Sequence, residues 1–140
     1  MVVLKGIPSI LSPDLLYVLA KMGHGDELVL ADANFPTSSI CACGPKEIRA
    51  DGLGIPQLLE AILKLLPLDT YVPSPAAVMD LVDSDKQRCL AVPVWETYAH
   101  LLPWQTHRVL WRKWKDLLST NEPRRPTPSW QQGKLLCMET

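Results

Sequence analysis

The stretch Met22-Gly-His-Gly-Asp-Glu-Leu-Val-Leu-Ala-Asp-Ala-Asn-Phe-Pro36 decides the fold class. Its opening residues, Met22-Gly23-His24-Gly25-Asp26, stop a helix and turn the chain. Its middle, Leu28-Val29-Leu30, is continuously apolar and bounded by turn residues, which reads as a short buried strand over Glu27 to Ala31. Helix, tight turn and buried strand in succession form the unit of an α/β domain, a layered sheet flanked by helices. His24 lies between two glycines where the helix ends, and Asp32 lies where the strand ends. Both are thereby carried by loops at the edge of the sheet, not by its core.

Working outward, Ser12-Pro13-Asp14 is a helix start, with a hydroxyl at the N-cap, proline in the first turn and an acid beside it. Leu15, Leu16, Val18, Leu19 and Met22 come next at spacings of three and four, and Gly23 stops the helix. A second amphipathic helix is predicted from Ile55 to Leu66, opened by Pro56 and closed by Pro67, with Ile55, Leu58, Leu59, Ile62, Leu65 and Leu66 on its apolar side. Leu68-Asp69-Thr70-Tyr71-Val72 reads as extended, which puts a third acid, Asp69, beside an element boundary. Ser74-Pro75 reads as the start of a third helix running to about Val82.

The last third differs in character. All five tryptophans lie at or after Trp95. Trp104, Trp111, Trp114 and Leu118 fall at helical spacing, interleaved with Arg108, Arg112, Lys113 and Lys115, so a basic amphipathic helix is expected over 104–118. From Glu122 to Trp130 three prolines remove donors and fix φ, which excludes a helix or a central strand there. The organisation expected is one domain over residues 1–120 and a Pro-rich, disordered tail over 121–140.

With 140 residues and a formal net charge of −1, the chain is long enough for one cored domain, and nothing in its charge calls for nucleic acid or an anionic membrane. No run reaches the ~18 apolar residues of a membrane span. The N-terminus carries no basic segment ahead of a long apolar run, so the location expected is the cytoplasm, with Cys41, Cys43, Cys89 and Cys137 as reduced thiols. Cys41-Ala-Cys43 is one residue short of the usual zinc or redox spacing and lacks a second ligand pair, so no metal is expected. Gly52-Leu-Gly54-Ile-Pro56 has two of the three dinucleotide-binding glycines and an interrupting proline; it reads as a turn into a helix.

Each candidate has two readings. His24 is either a cap on the negative end of the preceding helix or a general acid/base, since imidazole can give and take a proton near neutral pH. Asp32 either caps the segment after the strand, or hydrogen-bonds a substrate hydroxyl or orients His24. Asp69 is either a solvated loop acid or a further ligand. The basic tryptophan segment 104–118 supplies a reading of another class, a non-catalytic sugar-binding or protein-interaction module.

Lys5-Gly6-Ile7-Pro8, Leu11-Ser12-Pro13-Asp14-Leu15-Leu16, Met22-Gly23-His24-Gly25-Asp26, Leu30-Ala31-Asp32-Ala33-Asn34-Phe35-Pro36 and Asp51-Gly52-Leu53-Gly54-Ile55-Pro56 closely resemble the fucose mutarotase family, kin to the D-ribose pyranases. The likeness continues through Leu68-Asp69-Thr70-Tyr71-Val72 and a Trp95 to Tyr98 helix to about Leu102. It implies cofactor-free interconversion of the α and β anomers of L-fucose, by an α/β chain assembled into dimers or rings up to decamers, with sites near subunit contacts. His24 matches the family's proton-donating histidine, and Asp32 and Asp69 match its substrate-binding positions. The family then continues into a segment with a catalytic tyrosine and ends on strands carrying a Tyr-Gly-Asn motif. This sequence has no tyrosine after Tyr98, so the final strands are expected to be missing and the activity to be reduced.

Overall fold

The computed structural model describes residues 2–42, 44–72, 75–102, 109–112 and 135–139. In chain order the elements are α1 (Pro13–Lys21), β1 (Glu27–Ala31), α2 (Thr37–Cys41), β2 (Lys46–Arg49), α3 (Ile55–Leu63), β3 (Ala76–Met79), α4 (Asp83–Gln87), α5 (Val94–Leu101), β4 (Val109–Arg112) and β5 (Leu135–Glu139). The chain divides into two compact units, Met1–Pro67 with Pro128–Thr140, and Leu68–Thr127.

The first unit is built on a three-stranded sheet of order β1-β5-β2, parallel throughout. β5 is the middle strand, and at the edge β1 carries the continuous apolar run Leu28-Val29-Leu30, whose side chains are half-buried. The registers align Ala31 with Glu139 and Glu139 with Arg49, so the outer strands end in one row. Leu11, Leu15, Leu19, Ile48, Ala50, Leu58, Ala61 and Ile62 form the buried core, and Leu28 and Leu30 pack against it. Ile48 thus points at the layer of α1 and α3. Its neighbour Glu47 points to the other face, where the α2 hydroxyl of Ser38 donates to its carboxylate at 3.1 and 3.2 Å. The layered α/β arrangement expected from the sequence is therefore present.

The helix α1 begins as its sequence dictates. The Ser12 hydroxyl accepts the Leu15 N–H at 3.2 Å, Pro13 fills the first turn, and Asp14 and Lys21 complement the two ends of the dipole. Pro56 likewise sits in the first turn of α3, whose hydrogen-bonded span ends at Leu63, three residues short of the Leu66 expected.

Four expectations are corrected. In the second unit, residues 76–79, expected within a helix from Ser74, form β3 and pair in parallel with β4. The basic helix expected over 104–118 is a strand at Val109–Arg112; its remaining residues lie outside the described ones. In both places a β-branched residue and a partner distant in sequence outweigh local helical spacing. Leu68 to Val72, expected to be extended, bends over residues 70–72, with the Asp69 carboxylate accepting the Tyr71 N–H at 2.8 Å. Finally, within the 121–140 tail expected to be disordered, Leu135–Glu139 forms the central strand of the first unit's sheet. The first unit thus includes the chain's end.

Candidate functional site

The α1 helix closes at Met22, whose backbone is extended. The next four residues make a doubly closed turn: the Asp26 N–H donates to the Gly23 carbonyl at 3.1 Å, and the Asp26 carboxylate accepts the Gly23 N–H at 2.9 Å. Gly25, third in the turn, has φ +87°, the left-handed value such a turn demands there. A Cβ at Gly25 would meet nothing within 4 Å, so backbone conformation, not crowding, calls for glycine. His24, second in this turn, is exposed to solvent on a fixed backbone, the presentation an acid/base group requires.

Asp32 lies past the other end of β1. Its carboxylate accepts the Asn34 N–H at 2.8 Å, and its carbonyl accepts the Phe35 N–H at 3.0 Å, so the exposed side chain is held by its own loop. The strand between sets Asp26 and Asp32 about 20 Å apart at roughly 3.3 Å per residue. Even with the turn folded back, Asp32 is beyond hydrogen-bond reach of His24 in the same chain. The structure thus places both residues on loops, as expected, but at opposite ends of β1, and sets aside the reading in which Asp32 orients His24.

The same C-terminal row of strand ends holds a feature that sequence reasoning passed over. Arg49, last in β2, donates from Nε and Nη2 to the two carboxylate oxygens of Asp51 at 3.1 and 2.9 Å. The guanidinium holds the Asp51 carboxyl below the ordinary carboxylate value, chiefly through these hydrogen bonds. Asp51 is second in a turn closed by the Leu53 N–H on the Ala50 carbonyl at 3.2 Å, with Gly52 at φ +77°. It therefore occupies the same position, in the same kind of glycine-requiring turn, as His24. An Arg two residues before an Asp-Gly pair at a strand end was the available signal. Gly54 caps α3 without a side-chain hydrogen bond, consistent with the turn read there.

Asp69 belongs to the second unit. It is half-buried, and its carboxylate closes a loop of the same type as that of Asp32. Among the described residues no three His, Cys, Asp or Glu come together as metal ligands would, and no helix is long and apolar enough to cross a membrane. Cys41 and Cys89 are free thiols.

Fold and site together define a small α/β protein that presents an imidazole and several tethered carboxylates on loops at the ends of a parallel sheet. Residues 5–119 match the model of the RbsD / FucU transport protein family, and the chain belongs to that family. It is 76% identical over 102 residues to the fucose mutarotase of Mus musculus, a match covering 73% of this chain and 67% of that one, so it spans about two thirds of that relative's length. It is similar to the crystal structure of FucU from Bifidobacterium longum, with 37% identity, a TM-score of 0.77 and coverage of 96% of this chain and 87% of that one. It is equally similar to the fucose mutarotase of Streptococcus pneumoniae in complex with L-fucose, with 36% identity, a TM-score of 0.76 and coverage of 97% and 88%.

Proposed function

We propose that this chain is an L-fucose mutarotase, a cofactor-free carbohydrate isomerase that interconverts the α and β anomers of L-fucose. The observation that carries this reading is the solvent-facing His24 on its doubly closed turn, in a chain similar over nearly its whole length to a fucose mutarotase solved with L-fucose. Mutarotation needs only proton transfers. The ring oxygen gains a proton as the anomeric hydroxyl loses one, the C1–O5 bond breaks, and an open-chain aldehyde forms. Rotation about C1–C2 then presents the other carbonyl face, and reclosure reverses the two transfers. His24 donates the proton to the ring oxygen; a positioned acid/base of this kind contributes about 10²–10⁴-fold. Asp32 and Asp69 hold sugar hydroxyls and limit the poses of the open chain.

The complete site is assembled from more than one copy of the chain. Support comes from the positions of His24 and Asp32 at opposite ends of β1, which favour a sugar shared between one copy's turn and another copy's strand ends. A homo-oligomer acting on a free monosaccharide in the cytoplasm completes the proposal. His24→Ala tests it: the variant should lose catalysed anomer exchange while still binding L-fucose within about threefold, as expected when a proton-transfer group alone is removed. Exchange at the unmodified rate in His24→Ala contradicts the role given to His24.

A further inference from the structure

We infer that the Arg49–Asp51 ion pair is a sugar-positioning element, gripping hydroxyls of the bound monosaccharide beside Asp32 at the C-terminal edge of the parallel sheet; this rests on the mutarotase reading above. Ala31 and Arg49 share the partner Glu139, so β1 and β2 end flush on either side of β5. Two strand spacings separate them by about 10 Å. That separation suits a pyranose, with hydrogen bonds to Asp32 on one side and to the ion pair on the other. In parallel sheets this carboxyl edge is where ligands are bound.

The pair is poorly explained as a device for stability. Its two side chains are 66% and 65% exposed, and an exposed ion pair contributes little to folding. What it does supply suits a polyol. The carboxylate accepts from neighbouring hydroxyls, while the planar guanidinium fork, bonded to both its oxygens, fixes its orientation. The turn beneath Asp51, with Gly52 in the left-handed region, presents that carboxylate as the matching turn presents His24. A strand end and a glycine turn thus converge on one exposed, oriented charge pair.

The test is L-fucose affinity by NMR titration of the full 140-residue chain, with melting temperature measured alongside. Asp51→Asn and Arg49→Gln should each weaken binding about tenfold or more, the loss expected when a site built to meet a hydroxyl is left unmatched. Melting should be unchanged, and the double variant should be no worse than either single one, because the two residues act as a unit. Asp51→Glu should recover part of the affinity. If both single variants bind as the unmodified chain does while His24→Ala abolishes exchange, the ion-pair role is overturned and the mutarotase reading stands. Absence of L-fucose binding by the unmodified chain overturns both.

Discussion

Replacing Gly25 probes how the fold delivers His24, because the space around this residue is open and only its backbone conformation is special. At φ +87° an alanine Cβ meets no atom within 4 Å, so Gly25→Ala carries the left-handed penalty alone, about 1–2 kcal/mol. The turn is held by two hydrogen bonds on the surface, and it relaxes before the core does. A penalty of that size shifts the turn between conformers about 5- to 30-fold, and exchange should fall by a similar factor if His24 acts from this turn. Gly25→Asn should lose less, since asparagine is enriched in the left-handed region. Gly23→Ala is the control: its added Cβ would meet only an Asp26 carboxylate oxygen at 4.0 Å. Saturation-transfer NMR of L-fucose anomers gives the rate and urea unfolding gives the stability of each variant. Equal exchange in Gly25→Ala and Gly23→Ala refutes the role assigned to the turn.

Other outcomes rest on named contacts. Leu58 is completely buried in the core, so Leu58→Ala should cost about 2–5 kcal/mol in urea unfolding, whereas the same change at Leu65, 38% exposed, should cost under about 1 kcal/mol. Asp32→Asn keeps an oxygen to accept the Asn34 N–H but removes the charge; titration should show L-fucose affinity falling about tenfold with melting unchanged. The folded-state pKa of Asp51 lies below its ordinary 3.8, so the ion pair's contribution to binding is complete above that value and is lost as pH falls through the lowered one. The loss of L-fucose affinity in acid should be smaller in Asp51→Asn, which keeps only the Asp32 and Asp69 carboxylates, than in the unmodified chain.

The sequence was most legible where local chemistry decides structure. Ser12-Pro13 and Pro56 mark helix starts through caps and fixed φ, and Leu28-Val29-Leu30 marks a strand because no helix face is apolar all round at that length. His24 is legible as a loop residue because glycines flank it, and Asp32 because it follows the end of the apolar run. What escaped was non-local. β3 and β4 exist because they pair with each other across the chain, and the local spacing of Ser74-Pro75 and of Trp104 to Leu118 pointed to helices. β5 was hidden behind a proline-rich run, and its apolar residues gain their meaning only from the slot between β1 and β2. The Arg49–Asp51 pair escaped for a different reason: a charged residue at a strand end looks solvated until the register shows what it stands beside.

The reaction proposed for this chain is anomer exchange of L-fucose. Saturation-transfer NMR on the purified 140-residue chain measures it directly, by irradiating one anomeric proton and monitoring the other. The resemblance places a late tyrosine and a Tyr-Gly-Asn motif in the family's site, and the sequence after Tyr98 has no tyrosine. The result expected is exchange above the buffer rate, slower than that of the mouse relative, and abolished by His24→Ala. Exchange no faster than in buffer would contradict the account.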